Sequence, residues 1–515
     1  MKPRKLLLLL AALLLALAVL PGVNAQGGRS DETITVATDL EPNSLDPLFG
    51  DAIGGPDRYT YNLMYETLIR LEQDGSLTPM LAESYEVSED GTMLTFTLRE
   101  GVTFHDGTPF NAEAAAFNLN RALDPEVNAP RGADLTVIES VEATDEMTLV
   151  ITLANPSATI FTNLATEAGM MISPTAWQTL GEDYGRNPVG TGPFRFVEWR
   201  SGDRLIVERF EDYWRMDAAG VPLPYLAGVT MRFISDPAVK LVELQTGNVA
   251  LTDAINPIDF EIVEDDPDLQ LILVPSGIHQ WMTFNVTQPP FDDVTLRRAI
   301  LHAIDRQLLS DVITFGTGEV TPTIVPSFWW VYEPELEDYD YDPEQARQLL
   351  AEAGYPDGID VTMSIIQREP DTQIAELLQA TLAEFNINIE IEVLERQAWI
   401  DKVLAYDYEM AMLRAGVPRP DPDFLFGTVF GRGAANNWSG GQNEELFGII
   451  DEAATVRDRD ARRELYVRAQ EIILADAFYG FLFFRPVAFP ASDALQNFTM
   501  DVDGGWRLGE VWLSE

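Results

Sequence analysis

Few side chains in this sequence are suited to chemistry. There is no cysteine, and the only histidines are His105, His279 and His302. Thiolate catalysis and iron–sulfur clusters are therefore excluded, and an imidazole-rich metal site lacks ligands. His105 lies in Phe104-His105-Asp106-Gly107, where Asp-Gly calls for a tight turn that the histidine would order. His279 precedes Gln280-Trp281 in a strand-like stretch, and His302 sits beside the apolar row of a helix. Asp421 and Asp423 could mimic the paired carboxylates of a glycosidase, but in a chain with 83 acidic residues such pairs arise by chance. Gly190-Thr191-Gly192 leads into proline and a strand rather than a helix, which excludes a phosphate-cradling loop. No catalytic residue, metal or cofactor is expected.

Aromatic residues point to binding instead. Trp281, Trp329-Trp330, Trp399 and Trp438 lie in polar or proline-rich stretches, where a flat apolar ring can stack on a ligand or fill a core. Trp438 stands apart, because Asn436-Asn437 and Ser439-Gly440-Gly441 around it have little core character.

Composition narrows the function classes further. The 515 residues suggest two large lobes or about three domains. Lys+Arg is 34 against Asp+Glu 83, for a formal charge of −49. Such a surface repels nucleic-acid phosphate and anionic lipid. After residue 25 the only lysines are Lys240 and Lys402, so nearly every cation is arginine. Lys2, Arg4 and Lys5 precede an apolar run over 6–20, then Pro21-Gly22 and Val23-Asn24-Ala25. That is a secretory signal with cleavage expected after Ala25. No cysteine is available there to carry a lipid, so a soluble, exported, periplasmic protein is expected.

The elements that must position a site are legible in outline. Residues 84–87 and 93–98 flank Asp90-Gly91 as a hairpin, and 194–199 and 205–210 flank Ser201-Gly202-Asp203 in the same way. A helix near 112–123 interrupts a strand-rich stretch over 81–153. Asp293 caps a helix whose apolar residues Leu296, Ile300, Ile304 and Leu308 recur every four. Asp342-Pro343-Glu344 starts another helix, which Gly354 and Pro356 stop. A third amphipathic helix over 374–385 runs into the strict alternation of 387–393. A further helix near 399–405 leads to an apolar strand at 410–413. That order implies a three-layer α/β lobe with a mainly parallel sheet. A last helix over about 460–474 leads into 478–484, with a return crossover at Pro486 and Pro490.

Several segments, in order, resemble the extracytoplasmic solute-binding proteins, family 5, of peptide- and nickel-type ABC importers. They are Leu81-Ala82-Glu83-Ser84, Phe104-His105-Asp106-Gly107-Thr108-Pro109, and Pro188-Val189-Gly190-Thr191-Gly192-Pro193-Phe194 with Asp212-Tyr213-Trp214. Phe284-Asn285 with Pro290-Phe291-Asp292-Asp293, Ala303-Ile304-Asp305-Arg306, Tyr341-Asp342-Pro343-Glu344 and Asp421-Pro422 follow. The resemblance runs from Leu45-Asp46-Pro47 to about Phe489. It implies an α/β, bilobal periplasmic-binding-protein fold of type II, in the large peptide-binding class, with a strand-rich extra subdomain. Lobe I would take 30–75, 186–278 and 488–515, the subdomain 76–185, and lobe II 279–487.

The resemblance also implies a site. Dipeptide-type members clamp the peptide carboxylate with an arginine in a Gln-Arg turn, which matches Gln367-Arg368 here. They place an acid before the Asp-Pro pair to hold the peptide ammonium. The equivalent stretch, Gly416-Val417-Pro418-Arg419-Pro420, has none. Arg414 and Arg419 would favour an anionic or polar ligand there, or merely neutralise Asp421 and Asp423. Trp399, Asp421, Asn437, Trp438, Trp281 and Tyr59 complete the expected ligand set. The expected function is capture of a di- or oligopeptide between two lobes and delivery to ABC permease subunits driven by a separate ATPase. The receptor is expected to be a monomer and no enzyme. Rival readings are an oligosaccharide receptor of the same fold and a secreted carboxylate-dependent hydrolase.

Overall fold

A computed structural model describes residues 28–514, apart from 40, 51–56, 73–74, 158, 254, 417–420, 457 and 502–503. The signal segment and Arg419 lie outside the described residues.

One sheet of ten strands organises the chain. In sequence order they are β1 (Thr33–Thr38), β2 (Phe194–Arg200), β3 (Arg204–Arg209), β4 (Gly228–Phe233), β5 (Leu251–Thr252), β6 (Leu269–Phe284), β7 (Ile359–Ile366), β8 (Ile387–Leu394), β9 (Met410–Ala415) and β10 (Tyr479–Ser492). Across the sheet the order is β8-β7-β9-β6-β10-β5-β1-β4-β3-β2. The order divides it into two halves joined only through β6 and β10. These strands are 16 and 14 residues long and pair antiparallel along their length. Their register shifts between Val274 and Ile278, beside Pro275 and Pro486, and again between Gln280 and Trp281. Proline cannot donate to a ladder and is tolerated at such irregular points. The expected crossover at Pro486 and Pro490 is thus the strand β10 itself.

The half built on β6–β10 is a three-layer sandwich. On one face lie α1 (Val294–His302), α2 (Arg306–Thr314), α3 (Pro343–Glu352) and α4 (Asp371–Leu382), whose apolar residues meet Met282, Met363, Met412 and Phe483 of the sheet. On the other lie α5 (Arg396–Leu404), α6 (Pro422–Val429), α7 (Glu444–Ala453) and α8 (Arg459–Asp476), packed on Trp281, Ala411, Leu413 and Phe481. β9 is apolar on both faces because it is covered on both. Aspartates cap the helices as expected: Asp293 accepts from the Thr295 amide, and Asp342 from those of Glu344 and Gln345.

The row 296, 300, 304, 308 does not form one helix. α1 ends at His302, and Asp305 accepts from the Leu308 amide to cap α2. Leu308 is left 44% exposed. A local side-chain cap has overridden the apolar period.

In the other half, β1–β5 and the chain's C-terminal residues enclose a second core. A separate antiparallel sheet of Ala82–Val87, Met93–Leu98, Thr148–Leu153 and Ile138–Ala143, in that spatial order, packs with the helix Ala112–Leu123. Gly190 and Gly192 serve packing: a side chain on either would meet the Met64 backbone, at 2.0 Å for Gly190. The His105 ring bonds to the backbone of both, with Nδ1 accepting from the Gly190 amide at 3.3 Å and Nε2 lying 3.0 Å from the Gly192 carbonyl. Lys240 is buried against Asp253, whereas Lys402 is partly open and bonds Glu392 at 2.8 Å. Among the described residues, no helix is long and apolar enough to cross a membrane.

Candidate functional site

Open α/β sheets bind ligands beyond the carboxyl ends of their strands. Three arginines meet there. β7 runs into Gln367-Arg368, and Arg368 Nε donates to Asp371 Oδ2 at 2.7 Å, at the start of α4. β9 carries Arg414 near its end, directly opposite Gln280 of β6. On the other side of β6, Arg485 of β10 stands opposite Ile278 and Phe483 opposite Gln280. Directly opposed residues share a sheet face, so Arg414, Gln280 and Arg485 project to the face that α4 covers.

Their electrostatics confirm the proximity. Burial, then Arg414 and Arg368, pushes the Arg485 guanidinium down to about 10, with Asp371 opposing. Arg414 is lowered by partial burial and then by Arg368. Asp371 acts in the opposite sense on both Arg414 and Arg485. Several polar atoms here are buried with no hydrogen-bond partner: Arg485 Nε, Asp371 Oδ1, and both Oε1 and Nε2 of Gln280. Native interiors rarely leave such groups unmatched. The cluster can receive a negatively charged group through bidentate, charge-assisted bonds.

Across the sheet, the carboxyl ends of β1 and β5 carry Asp39 and Asp253. The Asp39 amide donates to Asp253 Oδ2 at 2.8 Å. Burial raises Asp253 above the ordinary carboxylate range although Lys240 opposes it. Tyr59 stacks on Trp506 at 4.6 Å, and burial, then Asp253 and Asp39, raises its phenol well above the usual value. Tyr59 therefore belongs to this acidic edge.

The other expected ligand residues are not brought to the arginines. Trp281 lies in the core on the reverse face of β6. Trp399 is buried, donates to the Ser364 carbonyl at 3.2 Å and tilts against half-buried Trp438, with centroids 5.9 Å apart. Asn437 builds its own loop, donating to the Gly441 carbonyl and accepting from Ser439 Oγ and the Gly440 amide. Asp421 caps α6 and receives a bidentate contact from Arg462 at 2.8 and 3.2 Å. Asp423 accepts from Tyr466 and is also paired with Arg462. A carboxylate pair so neutralised lacks the free acid and base that hydrolysis requires. Among the described residues, no group of histidines and acids could hold a metal ion.

Arg485 and Gln280 were missed from the sequence. Arg485 had a signal, being the only charged residue in the apolar strand 479–492. Gln280 had none.

Comparison with known proteins agrees with this architecture. Residues 76–437 match the family model described as "Bacterial extracellular solute-binding proteins, family 5 Middle". The glutathione-binding protein GsiB of Pectobacterium atrosepticum is 32% identical over 489 residues, covering 92% of each chain. The periplasmic binding protein DppA of Helicobacter pylori, solved with the peptide STSA, is 28% identical with a TM-score of 0.72, covering 95% of this chain and 99% of that one. HbpA2 of Haemophilus parasuis shares the fold at a TM-score of 0.84 and 24% identity, covering 94% of this chain and 100% of its own. The chain belongs to family 5 of the bacterial extracellular solute-binding proteins, the type II binding proteins of ABC importers, which bind solutes and are not enzymes.

Proposed function

We propose that this protein is the receptor for a short peptide with a free carboxylate, which it hands to the permease of its importer. The arginine cluster at the ends of β7 and β9 is the observation that carries the reading. In a chain with 83 acids and 34 bases, three neighbouring arginines with one acid form a local reversal of sign, and long-range attraction favours anions there. Two of its relatives, a glutathione-binding protein and a periplasmic binding protein solved with the peptide STSA, support the same class. Asp39, exposed beside the Asp253–Lys240 pair, offers a place for the peptide ammonium that the 416–420 stretch lacks. Lobes at 30–75, 186–278 and 488–515, and at 279–487, would close on the ligand by bending β6 and β10. Trp399 and Asn437 make internal bonds, so these two residues lend the oligosaccharide reading no support. Cleavage after Ala25 and a monomeric mature protein complete the reading.

The test is a thermal-shift titration with glutathione, tripeptides and tetrapeptides. A binder raises Tm in step with RT ln(1 + [L]/Kd), about 2.7 kcal/mol at a hundredfold excess over Kd. A flat Tm for every peptide at millimolar concentration would remove the peptide reading.

A further inference from the structure

The arginine cluster has more positive charge than one carboxylate can neutralise. Asp371 bonds Arg368 and is the carboxylate that acts on Arg414 and Arg485, so three cations face one acid among the described contacts. Arg368 is the only one of the three with a described carboxylate bond, to Asp371. Arg414 is open to solvent, and Arg485 keeps an unpartnered Nε. Asp371, wholly buried, has one oxygen bonded and the other unmatched.

Gln280 is the second observation. Its side chain is fully buried, neither amide atom has a partner, and it stands on β6 between Arg414 of β9 and the strand that carries Arg485. A buried amide with four unused hydrogen-bonding positions is costly unless another state of the protein uses them. Gln280 is sealed from solvent, so it acts on the ligand through the guanidiniums rather than by touching it.

We propose that this end of the cleft receives two neighbouring negative groups of the substrate, and that Gln280 is the positioning residue that orders the arginines around them. The proposal rests on the peptide reading and sharpens it to peptides ending in an acidic residue, whose side-chain and terminal carboxylates lie side by side. As the two anions draw Arg414 and Arg485 together, the Gln280 carbonyl accepts from Arg485 Nε, which gives these two atoms a partner.

Isothermal titration of the mature protein with Ala-Glu against Ala-Gln, and Ala-Ala-Glu against Ala-Ala-Gln, tests this. Each pair differs by one charge at nearly constant size. The acidic member should bind about tenfold or more tightly at low salt, with the gap narrowing as ions screen it. In Gln280→Leu the gap should fall below about threefold while Tm stays level or rises, because an apolar side chain replaces an unmatched amide. A merely structural Gln280 would instead lower Tm and weaken both members alike, which overturns its role. Equal affinities within each pair overturn the two-anion site and leave the peptide receptor standing. Glutathione binding while both acidic peptides fail overturns the two-anion site as well. Silence from every peptide, glutathione included, removes the receptor reading and this proposal with it.

Discussion

Two arginine–aspartate clusters flank the same sheet, and they are built on opposite principles. On the reverse face, Arg462 holds Asp421 and Asp423, donates its Nε to the Ala453 carbonyl at 3.1 Å, and is joined by the Tyr466 hydroxyl. There one cation serves two acids. On the front face, three cations share Asp371, and Arg485 Nε, Asp371 Oδ1 and the Gln280 amide are left unmatched. The residue types are the same, but only the first cluster is complete. A finished ion network holds helices together; in the proposed function the ligand's charge completes the other one.

The largest effect should come from breaking the finished cluster. Arg462→Met strands two carboxylates near a side chain that is 9% exposed, and losing one partner of a buried pair costs about 3–5 kcal/mol. Denaturant unfolding should show that loss, with affinity for the tightest peptide unchanged in the folded fraction. A stable Arg462→Met protein would show that the two clusters do not differ in the way described.

The reverse experiment is Arg414→Ala. Arg414 is open to solvent, so stability should hold while the peptide loses about 1.5–3 kcal/mol, the range for hydrogen bonds to charged groups. That is roughly a 10- to 150-fold rise in Kd. Wild-type affinity in this variant would take Arg414 out of the site.

The smallest effect concerns an unmatched group with no ligand to wait for. His279, beside Gln280 but on the reverse face, stacks on Phe484 at 4.2 Å with both ring nitrogens unpartnered. Burial, then Arg306, lowers its pKa from 6.5 to about 3. The folded ring stays neutral while the unfolded one takes a proton. Its contribution is therefore complete above pH 6.5 and is lost as pH falls towards 3, at about 1.4 kcal/mol per unit. His279→Phe should flatten the fall in stability between pH 6.5 and 5 by that slope. An unaltered slope would place the pH dependence elsewhere.

Local signals made much of the fold legible. The alternation of β8, the Asp-Pro-Glu start of α3 and the Asp90-Gly91 turn each depend on residues within a few positions, and each formed as expected. The long strands β6 and β10 were harder, because Pro486 reads as punctuation yet sits, opposite Pro275, at a register shift of a continuous ladder. The proposed site divided along the same line. Arg368 was reachable through a turn motif. Gln280 and Arg485 gain meaning only from partners on other strands, brought together by pairing that no local pattern encodes.

The scarcity of lysine has a practical side. Lys240 is 1% exposed and locked to Asp253, whereas the Lys402 side chain is 26% exposed on α5. Among the described residues, an amine-directed dye therefore meets one reachable lysine, on the half of the sheet that carries the arginines. Among the described residues Lys402 is thus the one lysine handle for following that half during a titration, the chain's amino terminus being another amine that the dye would meet.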